Sequence, residues 1–165
     1  MRFLFPVVLI GAAQMAAADG FALNNLQKVE VDNSQFAGGT YEHQKERKRI
    51  ILACTTCDDL TSISVEIGRS TDGTEGRFRS GETTVEKMQN ICQQRNPKCR
   101  LTRLDLGPAV GWVTQYKLGP IEGSTAVLFR DGDLLTVRTT SDSRNRTGSN
   151  MAAALDHIAP QIVGK

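Results

Sequence analysis

Between residues 124 and 137, two short runs rich in apolar residues flank an Asp131-Gly132 pair. A two-residue type I′ turn needs positive φ at both of its central residues, and Asp and Gly tolerate that conformation. The pair therefore predicts a β-hairpin. In this hairpin Arg130 lies opposite Asp133, and the remaining residues pair outwards from the turn.

The predicted register gives the hairpin two distinct faces, because successive side chains of a strand point to opposite sides of the sheet. The core face carries Ala126, Leu128, Leu135 and Val137. The second face, which is apolar near the turn and polar further away, carries Val127, Phe129, Leu134, Thr136 and Arg138. We expect helices to cover the core face, and the second face to be partly covered or to bind a ligand.

The second face is the first candidate for a ligand or partner surface. The candidate set consists of Phe129, Leu134 and Arg138 of this face, together with the basic residues Arg130 and Lys117. Together with Arg144 and Arg146 of the following loop, its basic members would attract a small anionic ligand or an acidic partner. The alternative is that these basic side chains are ordinary solvent-exposed residues.

The rest of the pattern predicts further strands. Residues 50–53 are a short apolar run typical of a buried strand, and residues 61–68 alternate like a strand with one solvated face. Strands are also predicted at 101–106 and 110–118, and a weaker signal appears around Val29 and Val31. Glycine and serine punctuate residues 70–81, which are predicted to form a long loop.

Two apolar stripes with helical spacing predict two helices. The first helix spans residues 83–94, where Thr83 and Glu86 have the spacing of a capping box and the stripe is Val85, Met88, Ile91 and Cys92. The second helix follows Met151 and must kink or restart at Pro160. The element order predicts an α+β fold, with an antiparallel sheet of about five to seven strands and two helices packed on one face.

The first 18 residues have the features of a secretory signal peptide. Arg2 precedes an apolar run at 3–13 that is too short to span a bilayer, and alanines at 16–18 form a small-residue cleavage site. A buried N-terminal helix is the alternative, but no polar face accompanies the run. We therefore expect residues 19–165 to form a single exported α+β domain, periplasmic or secreted.

The balance of charge argues against nucleic acid as a partner. The chain has 20 basic and 18 acidic residues, and 19 basic residues remain once Arg2 is removed, so the exported chain is close to neutral. The densest basic run, KERKR at 45–49, is either solvated or contacts an anionic partner. After the signal peptide no run reaches transmembrane length, so we expect no membrane insertion.

Four cysteines in an exported chain are typical of two disulfides. Of the three connectivities we expect Cys54–Cys57 and Cys92–Cys99, because each pair is close in sequence and each bridge would hold a junction between elements. Loops this short contribute less than the roughly 3 kcal/mol expected of a 15-residue loop. The bridges would then be local clips rather than the source of the fold.

The motif formed by Cys54 and Cys57 also has the spacing of a thiol-disulfide redox pair. In such pairs a helix N-terminus lowers the pKa of the reactive thiol. Here Asp58, Asp59 and an alternating strand follow, and neighbouring carboxylates raise the pKa of a thiol. A structural disulfide is therefore the first interpretation, a redox pair the second and a metal site the third.

Other catalytic constellations are missing from the sequence. It contains no G-x-S-x-G motif, and neither His43 nor His157 has the context of a catalytic base. Glycine-rich phosphate loops and paired metal carboxylates are also missing. We therefore expect no enzymatic activity, no cofactor and no bound metal.

The order of elements resembles the PsbP-like fold. The resemblance covers about residues 61–163, and its features are the alternating strand, the capped helix, Gly107 with Gly111-Trp112, the Asp-Gly hairpin and A-x-x-L-D-x-I at 152–158. PsbP-like domains occur in extrinsic photosystem proteins and in small bacterial periplasmic proteins and lipoproteins of the DcrB type. Most are binding or assembly modules, and the resemblance implies the same role. This chain has no cysteine at the cleavage site, which argues against a lipid anchor.

The sequence therefore predicts a non-catalytic exported module that serves binding or assembly in the cell envelope. Its partner would be an unknown protein or a small anionic ligand. Two alternatives stay open. One is a thiol-disulfide redox protein that uses Cys54 and Cys57, and the other is a small inhibitor-like or immunity-like protein.

Overall fold

The structure, a computed structural model, describes residues 20–165, and the predicted signal peptide lies outside the described residues. The described chain forms seven strands: β1 (Tyr41–Lys45), β2 (Arg49–Cys54), β3 (Ser62–Arg69), β4 (Arg100–Leu106), β5 (Ala109–Leu118), β6 (Ile121–Arg130) and β7 (Asp133–Ser141). It also forms the helices α1 (Thr74–Arg79), α2 (Val85–Arg95), α3 (Arg144–Ala153) and α4 (Ala159–Val163). The strands build one antiparallel sheet in the order β1-β2-β3-β7-β6-β5-β4. The prediction of an α+β fold with an antiparallel sheet of five to seven strands is confirmed.

β6 and β7 form the hairpin that was predicted around Asp131 and Gly132. These two turn residues have φ angles of 52° and 82°, the positive values that a type I′ turn requires. Arg130 pairs with Asp133, and the antiparallel pairing continues along both strands. The predicted register is therefore confirmed.

The core face of the sheet is covered by the C-terminal helices and by the N-terminal segment, residues 20–36. The sheet contributes buried apolar side chains from its central strands, among them Ile50, Leu52, Ile63, Val65, Leu128, Leu135 and Val137. The C-terminal helices add Met151, Ala154, Ile158 and Ile162, and the N-terminal segment adds Phe21, Leu26, Val29 and Phe36. These side chains form one continuous hydrophobic core.

The second face of the sheet is covered over part of its width. α1 and α2 lie over β4, β5 and β6, whereas Glu42, Ala53 and Arg138 of β1, β2 and β7 are exposed on this face. The prediction that two helices pack on one face is wrong in this detail, because α2 lies on the second face and α3 on the core face. The N-terminal segment and the C-terminal helices already fill the core face, so α2 packs on the opposite side.

Residues 70–81, which were predicted to form a loop, contain α1. Asp72 stabilises the start of this helix, because its carboxylate accepts hydrogen bonds from the backbone N of Thr74 at 3.0 Å and from the Thr74 hydroxyl at 2.8 Å. Phe78 is buried and anchors the helix on the sheet. The prediction of a loop was wrong because frequent Gly and Ser residues obscured a helix of fewer than two turns.

Glu75 of α1 joins this helix to the hairpin turn. Its carboxylate accepts hydrogen bonds from the backbone N of Asp131 at 3.1 Å and of Gly132 at 2.8 Å, and it pairs with Arg79 at 2.8 Å. Burial raises the pKa of Glu75, but the hydrogen bonds and the positive charge of Arg79 outweigh burial, so the pKa is lowered overall. The ionised carboxylate therefore holds the turn.

The segment around Val29 and Val31 forms short 3₁₀ turns, at Leu26–Lys28 and Asn33–Gln35, instead of the weakly predicted strand. The side chains of Asn25 and Asp32 accept hydrogen bonds from the backbone N–H two residues further on. Such local bonds compete with strand pairing. The valine that points inwards, Val29, is nevertheless buried in the core.

β1 is a short edge strand that the sequence pattern did not reveal. Tyr41 is its buried residue, and the Tyr41 hydroxyl donates to the backbone O of Ala37 and accepts from Asn150 Nδ2, both at 2.8 Å. The basic run at 45–49 spans the end of β1, a turn and the start of β2. Within it, Lys45 donates to the backbone O of Val29 at 3.0 Å.

The C-terminal helix begins earlier than predicted and restarts at its proline. α3 starts at Arg144, inside a segment predicted to be loop, and the Ser143 hydroxyl caps it. Residues 154–158 then form a π-helical turn in which the backbone N of Ala159 donates to Ala154 O. Pro160 has no N–H to donate, and the chain continues past it as α4.

We predict that Phe78→Ala lowers the free energy of unfolding by about 3–5 kcal/mol. The Phe78 ring lies 5.3 Å from that of Trp112, which lies 5.5 Å from that of Phe129. Trp112 is the single tryptophan, so its emission should shift to the red as water enters this aromatic cluster. Urea unfolding followed by tryptophan fluorescence measures both effects. The Lys28→Ala variant, at an exposed position outside the packed core, is the control, and unchanged stability in Phe78→Ala would contradict the prediction.

Candidate functional site

The candidate surface predicted from the hairpin is divided between the two sides of the sheet. Phe129, Leu134 and Arg138 lie on the second face, whereas Arg130 and Lys117 point to the core-face side. Phe129 is buried in the aromatic cluster that it forms with Trp112 and Phe78. The five residues therefore do not form one continuous surface.

The basic residues around the hairpin are held by separate partners. Lys117 and Arg144 both pair with Glu122, at 3.0 and 3.2 Å, and the hydrogen bond from Lys117 is the main cause of the lowered pKa of Glu122. The remaining partners are the backbone O of Val163 for Arg130, Glu66 for Arg138 and Asp59 for Arg146. These contacts do not bring the basic side chains together as one positive patch.

A different surface stands out at the end of the sheet opposite the Asp131-Gly132 turn. Among the described residues, the exposed large apolar side chains are Leu60 (95% exposed), Leu118 (62%), Ile91 (57%) and Ile121 (47%). Leu118 and Ile121 face each other across the β5–β6 turn, Leu60 precedes β3, and Ile91 lies on α2. We call these four residues the apolar rim.

Two grooves connect the members of the apolar rim. One groove, of about 360 Å³, lies between α2 and β5 and is lined by Met88, Ile91, Cys92, Arg95, Asn96, Thr114, Tyr116 and Leu118. The other, of about 680 Å³, includes Leu60, Ile121, Ala53, Ser62 and Thr140 in its lining. Since Leu118 and Ile121 are paired, the rim continues from one groove to the other.

The floor of the first groove depends on Gly123. A Cβ atom at this position would lie 2.3 Å from the Tyr116 ring, so only glycine lets the ring lie across β6. α2 forms the wall of the groove. Its predicted apolar stripe faces the sheet, but none of its side chains is fully buried, and its N-cap is Thr84 rather than the predicted Thr83.

Both disulfides lie at the same end of the sheet as the apolar rim. Cys54 is bonded to Cys57 and Cys92 to Cys99, with Cα–Cα distances of 5.6 and 5.9 Å. The predicted pairing is confirmed. The first bridge closes the loop that leads to Leu60, and the second fastens the end of α2 to the start of β4.

Asp59 fixes the backbone next to Leu60. Its carboxylate accepts hydrogen bonds from the Thr61 hydroxyl at 2.7 Å and from the backbone N of Asp142 at 2.6 Å, and it pairs with Arg146. Burial raises the pKa of Asp59, but these partners outweigh it and lower the pKa to about 2. The pKa of Asp142 is raised, first by hydrogen bonding to Asp59 and then by burial and the negative charge of Asp59.

In the part of the chain that the structure describes, few other side chains are candidates for metal binding or catalysis. Residues 20–165 contain no group of three or more His, Cys, Asp or Glu side chains placed to hold a metal ion. His43 Nδ1 lies 3.0 Å from Asn33 Oδ1, and His157 is exposed on the C-terminal helix. The buried Ser124 hydroxyl has no hydrogen-bond partner among the described residues.

Within residues 20–165, no helix combines the length and the apolar character needed to cross a bilayer.

Comparison with known proteins found no match. No protein-family model, no curated protein and no solved structure matches the chain. The resemblance in element order to the PsbP-like fold therefore stays a prediction.

Sequence reasoning missed three of the four rim residues. Ile91 belonged to the predicted stripe of α2, but Leu60, Leu118 and Ile121 were not singled out. Their signal was present in the sequence, because Leu60 is an apolar residue inside a polar segment and Leu118 and Ile121 flank a Gly-Pro turn. An apolar residue beside a turn becomes informative only when its exposure is known.

We predict that Asp59→Asn destabilises the protein at neutral pH by about 1–3 kcal/mol, because hydrogen bonds to a charged acceptor are lost. The pKa of Asp59 is about 2 in the folded chain against an ordinary 3.8. Its stabilising contribution is therefore complete above the ordinary value and is lost as the pH falls from 3.8 through 2. Urea unfolding of wild type and variant between pH 7 and pH 2 should show a difference that shrinks towards pH 2. Asp156→Asn, an exposed site, is the control, and a difference independent of pH would contradict the assignment.

We predict that the Cys54–Cys57 bridge has a reduction potential below about −300 mV, as structural disulfides do. Carboxylates follow Cys57 and no helix begins there, so the structure does not favour a thiolate at this motif. The potential is measured in a Cys92→Ser/Cys99→Ser background, which leaves one bridge to titrate. A value of about −120 to −230 mV would instead support a redox protein. Replacing Cys54 and Cys57 by Ser should cost about 2 kcal/mol of stability, given the short loop.

Proposed function

We propose that the protein is a non-catalytic exported module that serves binding or assembly in the cell envelope, and that its protein partner docks on the apolar rim. The observation that carries this proposal is the position of the rim residues. Leu60, Ile91 and the pair Leu118 and Ile121 come from three separate parts of the chain, yet they lie together at one end of the sheet.

Contiguous exposed apolar side chains are typical of protein–protein contact sites. A Leu or Ile side chain contributes roughly 1.5–3 kcal/mol when it is fully buried. Leu60 is almost fully exposed, and the other three rim residues are about half exposed or more. Covering the rim therefore provides a driving force for association, whereas leaving it in water provides none.

The disulfides and hydrogen bonds that hold the backbone around the apolar rim favour binding, because they fix the surface before a partner arrives. The Cys54–Cys57 bridge and the Asp59 contacts hold the loop of Leu60, and the Cys92–Cys99 bridge holds the end of α2. A preformed surface loses less conformational entropy on association than a flexible one does.

Export to the periplasm or the medium is supported by two features of this chain. The first 18 residues have the pattern of a signal peptide, and all four cysteines form disulfides, which persist in oxidising compartments. The resemblance in element order to PsbP-like domains also supports a binding role.

Photo-crosslinking in intact cells of the source organism tests the proposal. A photoreactive residue at Leu118 should give a discrete crosslinked product, because this side chain lies in the middle of the apolar rim. The same residue at Lys48, which is exposed at the opposite end of the sheet, is the matched control. Adding Ile121→Glu to the Leu118 probe should weaken the product. A product of equal strength from both positions, or none from Leu118, would contradict the proposal.

A further inference from the structure

The two ends of the apolar rim carry opposite charges. At the Leu60 end lie Asp58 and Asp142, and residues 53–62 contain no basic side chain. At the Ile91 end lie Arg95, Lys98 and Arg100, and residues 92–104 contain no acidic side chain. The rim is therefore an apolar strip with an acidic patch at one end and a basic patch at the other.

The charged groups in these patches are accessible. Asp142 has a side chain that is 63% exposed, and its nearest cation, Arg146, lies 3.7 Å away and is already paired with Asp59. Arg95 and Lys98 are exposed, and neither forms an ion pair within the described residues. Charges that lack a strong partner within the chain are free to attract one on another molecule.

The strand order fixes the spacing of the two patches. The acidic patch lies beside the ends of β3 and β7, and the basic patch lies beside the start of β4. From β3 to β4 the sheet runs through β7, β6 and β5, and adjacent strands are separated by about 4.8 Å, so the rim is about 19 Å long. The β5–β6 turn, with Leu118 and Ile121, lies near its middle.

We propose that the apolar rim is occupied by a second copy of this chain, related to the first by a twofold axis near the β5–β6 turn. In this arrangement Leu118 and Ile121 meet their counterparts at the axis. The acidic patch of each copy faces the basic patch of the other copy, so the favourable charge contact forms twice. The inference rests on the proposed function, since it names the partner that docks on the same surface.

Charge complementarity selects this occupant over a different protein. A rim with charge of one sign would fit a partner of the opposite sign. A rim with opposite charges at its ends, and apolar residues at its centre, is complementary to itself when it is turned by 180°. Twofold dimers are the commonest symmetric assemblies, and they require a surface of this self-complementary kind.

Light scattering after size-exclusion chromatography measures the mass of the processed chain in solution with its disulfides intact. We expect twice the chain mass at the highest soluble concentration, and one chain mass for Leu118→Glu with an unchanged circular dichroism spectrum. The matched control, Thr71→Glu, adds the same single negative charge at an exposed position at the opposite end of the sheet and should stay dimeric. A wild-type chain that is monomeric at every concentration would overturn the inference.

Charge reversal tests the twofold geometry. Arg95→Glu alone places two acidic groups face to face, and Asp142→Arg alone does the same with two basic groups, so each variant should be weakened as a dimer. When the two variants are mixed, every facing pair is again of opposite sign, and a dimer with one copy of each should form. Native mass spectrometry detects this mixed dimer, and its absence beside intact single-variant dimers would overturn the geometry.

The mass of the product crosslinked from Leu118 separates this inference from the proposed function. A product of twice the chain mass supports both. A product with a different protein overturns the second copy as occupant and leaves the proposed binding function in place. The lack of any product overturns both.

Discussion

The positive φ angles of Asp131 and Gly132 are the constraint on which the rest of the structure depends. They fix a two-residue turn, and that turn sets the register of β6 against β7. A shift of one residue would move every side chain of a strand to the other face of the sheet. Leu128 would leave the core, and Phe129 would enter it. The carboxylate of Glu75 strengthens this constraint, because it binds both backbone N–H groups of the turn.

The register also explains why the second face has two different halves. Phe129 and Trp112 are brought side by side by the pairing of β5 with β6, and Phe78 of α1 covers them. On β1, β2 and β3, the side chains of the same face are polar or small apart from Ile51, so they offer little apolar area for another helix to cover. α1 and α2 therefore cover only the part of this face that carries most of its large apolar side chains. The apolar rim lies at the end of the sheet opposite the Asp131-Gly132 turn.

Local patterns predicted much of the fold. The register of the β6–β7 hairpin, the alternating strand β3, the helix α2 and both disulfide pairs follow from residues that are close in sequence. Features that depend on distant contacts were not predicted. β1 is held by Tyr41 against Asn150, and α1 is held by Phe78 against Trp112. The side of the sheet chosen by α2 depends on the N-terminal segment, which fills the opposite face.

The candidate surface was the least predictable part, for the same physical reason. Arg130 was placed near Phe129 because it is the next residue, and Lys117 because it lies in the preceding predicted strand. Alternation along the strands sends both to the other side of the sheet. Exposure of Leu60 or Ile121, by contrast, is set by what the rest of the chain leaves uncovered, so a place in a polar segment or beside a turn does not by itself reveal it.

The positions of the two disulfides indicate why the apolar rim is exposed. At the end of the sheet with the Asp131-Gly132 turn, the chain is held by burial of Phe21 and Val163 and by the contacts of Glu75. At the rim end, α2 has no fully buried side chain, and there the chain carries both disulfides. Covalent bridges thus replace packing where apolar side chains are exposed. A chain that only had to fold would gain more stability by burying those side chains than by bridging the backbone around them. The observed arrangement keeps the rim rigid and uncovered, which is what a surface needs when another molecule completes its burial.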